Sequence, residues 1–224
     1  LLKAMDRAEI DRSVLASVAT KPSQQHNINL FLSSLRRDRF IPFGAIHPMA
    51  PDAGDELDFI CGLGFKGIKL HPDYQGFYAD DPAVFGVYEK CCEKGLVVLF
   101  HAGVDIGLPE PVHATPDRLA AVSRAFPKMK LVCAHFGGWK MWGDVDKYLC
   151  SKENVYIDTS FCSKYIDTAS AKKIITAAPG RVMLGSDCPW EDPSDSVSFI
   201  HSLKLDAKTE KNILGENARK LLDM

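Results

Sequence analysis

Along the chain, short apolar runs rich in β-branched residues alternate with longer segments whose apolar positions recur at three- and four-residue spacing. Seven runs read as strands: Ser13–Val18, Phe40–Ile46, Gly67–His71, Leu96–His101, Lys130–His135, Asn154–Thr159 and Arg181–Asp187. Several are apolar on successive rather than alternate residues, as expected of parallel strands covered on both faces. Amphipathic helical segments separate them, and no low-complexity stretch interrupts the alternation. This is the pattern of repeated βα units.

Local signals agree with that reading. Asp81-Pro82, Thr115-Pro116 and Asp192-Pro193 each set a capping oxygen before a proline suited to a first helical turn. Gly95 follows Glu93-Lys94 and is expected to stop a helix in the left-handed conformation just ahead of the Leu96 strand. Residues 1–12 have helical spacing at Leu2 and Met5, so the chain opens on a helix, and a further helix is expected over Asn212–Leu222. A doubly wound sheet usually opens on a strand, whereas an eight-stranded (β/α)8 TIM barrel entered at its first helix would read this way. The expectation is an α/β fold: one TIM-barrel domain over residues 1–224 whose first strand is absent from the chain.

Composition narrows the function classes. At 224 residues with 46% hydrophobic content the chain can bury a sizeable core. Lys+Arg 27 against Asp+Glu 29 gives a formal net charge of -2, spread without blocks, so neither a nucleic-acid groove nor a membrane patch is expected. The longest apolar runs are strand-sized. The seven cysteines form no C-x-x-C, and most fall inside predicted elements. A structural role in a reducing, cytoplasmic setting is the expectation. No charged-then-apolar leader is visible at Leu1.

Three strands end in groups able to bind a metal or move a proton. VVLFHAG ends at His101, LVCAHFGG at His135 and VMLGSDCPW at Asp187. In parallel barrels the carboxyl ends of the strands carry the active site, so residues remote in sequence can meet there. Imidazole and carboxylate suit a divalent transition ion, and an ion with an open position acidifies bound water.

The sequence resembles the amidohydrolase-related metal-dependent hydrolases, a branch of the amidohydrolase superfamily that also contains decarboxylases. The resemblance rests on GFKGIKLHP at Gly64–Pro72, FHAG at Phe100–Gly103, AHFGG at Ala134–Gly138, LGSDCPW at Leu184–Trp190 and NILGENARKLL at Asn212–Leu222. It implies one divalent metal, Zn²⁺ by expectation. His101 is then a ligand, His135 orients or activates water and is a further candidate ligand, and Asp187 is a ligand and proton shuttle. The family adds an H-x-H pair on its first strand, and no H-x-H stands in this sequence.

Lys69 and His71 close another strand and are read as substrate contacts, with Lys69 as a carboxylated bridging ligand the lesser alternative. Trp139, Trp142 and Trp190 follow strand ends and either wall a pocket, with Trp190 the candidate substrate contact, or pack the rim loops. His47 ends another strand and reads first as a satisfied structural histidine. The loop from Gly103 to Thr115, with Pro109 and Pro111, is long enough to cover the site. The leading functional expectation is hydrolysis of a C–N or C–O bond in a small carbonyl substrate by metal-activated water. The alternatives are non-oxidative decarboxylation on the same scaffold and a non-catalytic small-molecule-binding barrel. The partner expected is a small-molecule substrate; dimers are common among such barrels, and no homodimer interface can be read from the sequence.

Overall fold

The computed structural model describes residues 1–35, 38–108 and 110–224. Pro109, named above in the rim loop, lies outside them. Seven strands form one parallel sheet in sequential order: β1 Ser13–Ala16, β2 Phe40–Ala45, β3 Gly67–Leu70, β4 Val97–Phe100, β5 Lys130–Cys133, β6 Val155–Asp158 and β7 Val182–Met183. Each is shorter than its apolar run. The residues past the last ladder position turn out into loops at the carboxyl rim, and these are the residues expected to carry chemistry.

Helices α1 Leu2–Arg7, α2 Gln25–Ser33, α3 Ala53–Gly62, α4 Pro72–Gln75, α5 Phe85–Lys94, α6 Pro116–Ala125, α7 Trp142–Tyr148, α8 Thr168–Ala177 and α9 Pro193–Ser202 alternate with the strands and cover one face. The chain ends on α10 Ala207–Lys211, a π-helical turn over Asn212–Glu216, and α11 Asn217–Leu221. The period-two alternation splits each strand between two cores. On β4, Val98 and Phe100 pack outward under the helices. Val97 and Leu99 point the other way and join Ile41, Phe43, Val132 and Met183 from β2, β5 and β7. Strands so far apart in sheet order share a cluster only because the sheet curls on itself. Leu221 and Leu222 enter the same interior cluster, and Lys130 Nζ, at the start of β5, donates to the Leu221 carbonyl, which places α11 at the amino-end mouth.

The curl stops short of closure, with β1 and β7 as its edges. The outer layer does meet across the gap, since Arg7 on α1 pairs with Asp192 at the start of α9 at 2.7 Å. Val14, in register with the interior residue Ile41, is exposed on β1, as an interior position becomes when no strand covers it. The far edge of β7 is treated differently. Its Leu184 N–H donates to Ile213 O and its Val182 carbonyl accepts from Asn217 Nδ2. The ILGEN portion of the C-terminal motif, Ile213 to Asn217, thus blunts a strand edge that would otherwise be open to pairing.

The predicted stops and caps hold with one correction. Gly95 ends α5 at φ 67, and Asp192 Oδ1 accepts from Ser194 N at the start of α9. Asp81 caps a 3-10 turn over Pro82–Val84 that leads into α5. Thr115 does not cap α6: its hydroxyl donates to Asp117 Oδ1 at 2.5 Å, a carboxylate two residues ahead that outcompetes the backbone amides. Among the described residues, no helix is long and apolar enough to cross a membrane.

Candidate active site

His101 stands two residues beyond Leu99 and so continues the interior row of β4. His135 reaches the same place differently. It follows β5 with φ 61, and Phe136 after it has φ 54, a left-handed pair that redirects the imidazole. Non-glycine residues pay for that conformation, so something must hold it. Asp158, the last residue of β6, supplies the brace: its Oδ1 accepts from His135 N at 3.1 Å and its carbonyl accepts from Phe136 N at 2.7 Å.

The glycines of FHAG and AHFGG let the two strand ends meet. Gly103 has φ 84, and a Cβ there would lie 2.2 Å from Trp139 N. That absence lets the backbones bridge at Gly103 and Trp139. As a result His135 Nε2 and His101 Nδ1 lie 3.0 Å apart, with both rings buried. Burial holds His101 well below the usual imidazole range, reinforced by His135, His71 and Lys69. His101 Nε2 is buried with no hydrogen-bond partner.

His71 stacks on His101 with centroids 4.0 Å apart and planes 13° from parallel. Burial first, then Lys69 and His135, brings its pKa down to about 3. Its Nε2 faces Asp105 Oδ2 at 3.3 Å, and its Nδ1 accepts from Tyr74 N at 3.4 Å. His71, His101 and Asp105 bring donor atoms within 4.8 Å of one another, a grouping able to hold an ion. Both nitrogens of His71 are already engaged, and two stacked rings keep their lone pairs in separate planes. His101 therefore offers the free lone pair of the group, and that buried, unpartnered nitrogen fits a divalent cation.

Lys69, on β3 in register with Leu99, carries its side chain into the same interior. Burial lowers its pKa, while Asp158 and Asp187 raise it. A lysine on β3 feels carboxylates from β6 and the end of β7 only because the curl brings those strands round to it. Asp187 has φ 60, is exposed, and closes a turn in which its carbonyl accepts from Trp190 N. It forms no three-donor grouping with His101 and His135 among the described residues.

Of the remaining expected residues, Trp139 is buried against Trp142, Phe161 and Tyr165 and packs the rim, and Trp142 donates to the His135 carbonyl. Trp190 stands 76% exposed, outside that packing. His47 is buried with Nδ1 unpartnered, and burial lowers its pKa.

Sequence reasoning missed Asp158, Ser160, Asp105 and Glu191. Asp158 had a usable signal, since VYID is an apolar run ending in a carboxylate, the same sign that pointed to Asp187. Glu191 is buried and accepts from Ser163 N, Ser163 Oγ and Ser196 Oγ, pinning the segment after Asp187 to two neighbouring elements.

The sequence model of the amidohydrolase family matches residues 3–224. The chain belongs to that family. It is similar to 2-amino-3-carboxymuconate-6-semialdehyde decarboxylase of Dictyostelium discoideum, 24% identical, covering 100% of this chain and 76% of that protein. Among solved structures, 5-carboxyvanillate decarboxylase of Novosphingobium aromaticivorans, complexed with manganese and a nitrobenzoic acid, superposes with TM-score 0.81 at 19% identity over 100% of this chain and 79% of its own. The 2,6-dihydroxybenzoate decarboxylase from Rhizobium gives 0.77 at 20% identity over 99% and 87%. These likenesses establish the TIM-barrel fold of the family.

Proposed function

We propose that this amidohydrolase-family chain is a metal-dependent decarboxylase of a small carboxylic acid. The observation that carries the reading is the pairing, inside one curled sheet, of a bare buried imidazole nitrogen on His101 with the buried amine of Lys69. Hydrolysis of a C–N or C–O bond, the leading expectation from sequence, draws on the same residues. The named relatives are decarboxylases, and a buried lysine amine able to donate to a carboxylate favours that chemistry over it.

A divalent ion would be held through His101, with Asp187 as the further donor proposed, while His135, whose two ring nitrogens face Ser160 and His101, would orient the His101 ring. When bound, it supplies Lewis-acid polarisation of a substrate oxygen. Histidine and carboxylate donors suit Zn²⁺ and also Mn²⁺, the ion named in the Novosphingobium structure. Lys69 would bind and orient the carboxylate of the substrate in a largely desolvated setting. His135 and Asp187 would move the proton that replaces CO₂ on the substrate carbon. Trp190 and His71 would bound the substrate, His71 by fixing the ring of His101 beneath it.

The test is a panel of aromatic and unsaturated carboxylic acids incubated with protein and Mn²⁺ or Zn²⁺, following CO₂ against ammonia or alcohol release. CO₂ release is expected, lost in His101→Asn. In Lys69→Met, kcat/KM is expected to fall by roughly 10-fold or more, the worth of a charge-assisted hydrogen bond. Hydrolysis of amides or lactones with no CO₂ from any acid would sink the reading.

A further inference from the structure

We infer that Asp158 is a positioning residue which, through Ser160, dictates which ring nitrogen of His135 and then of His101 carries the proton. Asp158 Oδ1 accepts from Ser160 N at 2.9 Å and from Ser160 Oγ at 2.5 Å, besides bracing the amide of His135. The Ser160 hydroxyl has one proton and spends it on the carboxylate. Toward His135 it can only accept, and it stands 3.2 Å from Nδ1. The Ser160 carbonyl, 3.0 Å from the same nitrogen, can only accept as well. His135 Nδ1 is therefore the protonated nitrogen.

In a neutral imidazole the other nitrogen then holds a lone pair. His135 Nε2 accepts across the 3.0 Å contact, so His101 Nδ1 is the donor. Nothing remains to protonate His101 Nε2, which accounts for its being buried and unpartnered. One carboxylate on β6, acting with the Ser160 carbonyl it holds in place, thus selects the same tautomer on two histidines in series. It leaves a lone pair where a cation would be met, as outer groups do when they orient metal-ligating histidines.

The proton placement stands whether or not the protein is a decarboxylase; the metal arm of the test rests on that reading. Long-range ¹H–¹⁵N spectra of the metal-free chain, with ¹⁵N-histidine, should show His101 and His135 both protonated at Nδ1. Asp158→Ala should mix both tautomers and weaken Mn²⁺ binding, titrated by the ion's own EPR signal, by about 10- to 100-fold. Asp158→Asn keeps an accepting oxygen and should restore the tautomers and much of the affinity, even if the alanine variant does not fold. Ser160→Ala, which retains the carbonyl, should fall between.

Wild-type His101 protonated at Nε2 would overturn the inference. So would Ser160→Ala spectra, and Asp158→Ala spectra where that variant folds, that keep the wild-type tautomers unchanged. A wild-type chain that shows the Nδ1 tautomers but takes up no Mn²⁺ would sink the metal reading alone.

Discussion

At the ends of β4 and β5 the rim is buried and densely hydrogen-bonded around two imidazoles, whereas at the end of β7 it is exposed and held from behind by one carboxylate. The first flank lies deep in the sheet, with paired strands on either side. The second lies at the edge of the curl, where solvent reaches Asp187. Each setting suits the group it holds. A dry pocket disfavours imidazolium at His71 and His101, because desolvation penalises the charge, and leaves His101 Nε2 with a lone pair to offer. A carboxylate at a wet edge carries its charge without that penalty.

The largest effect that would break the contrast is expected at Gly103. An alanine there takes a left-handed φ and drives Cβ against the Trp139 backbone, which cannot move aside without parting β4 from β5. The two costs add to about 3 kcal/mol. Urea unfolding of Gly103→Ala should show that loss, and a loss below roughly 0.5 kcal/mol would mean the strand ends are looser than the bridge implies. On the β7 flank the counterpart is Glu191→Ala. It strands Ser163 N and two hydroxyls in a buried site, at a cost of about 2 kcal/mol. If thermal melts show no change, the Asp187 turn is not anchored from behind as described.

The third prediction sharpens the electrostatic half of the comparison. Burial pushes His71 down to about 3 from the ordinary imidazole value of 6.5, so between those pH values the unfolded chain binds the extra proton. Stability of the metal-free protein should therefore rise with pH across that window, and fall on acidification from 6.5 toward 3. The slope from this one group is at most about 1.4 kcal/mol per pH unit. His71→Gln should flatten the acid limb by that much. An unchanged limb would place the penalty elsewhere.

The barrel order and the two histidine positions were legible because they ride on periodicity: an apolar run marks a strand, and its last polar residue falls on the rim. The open edge also followed from counting strands. What stayed hidden joins residues that no local pattern links. His71 meets Asp105 from a different loop, Asp158 braces an amide 23 positions away, and Glu191 binds a serine 28 positions back. Thr115 misled for the opposite reason, since a fair local capping signal lost to a nearer carboxylate. The exposure of Asp187 was equally beyond sequence, because it depends on which strand ends up at the edge.

The smallest effect is expected at Trp190, and its smallness is what separates the flanks. Trp190 follows Asp187 by three residues and is 76% exposed, while Trp139 on the histidine side is 4% exposed and packs against three aromatic rings. An indole left in water contributes little apolar burial to folding, so Trp190→Ala should change stability by no more than about 0.5 kcal/mol. Its contribution should appear on binding, where covering it with an aromatic acid removes apolar area from water at roughly 25 cal/mol per Å². Melting curves and KM for the best acid of the panel, measured side by side, decide the matter. A destabilised variant with unchanged KM would show that Trp190 packs the rim as Trp139 does, and the two flanks would then differ in electrostatics alone.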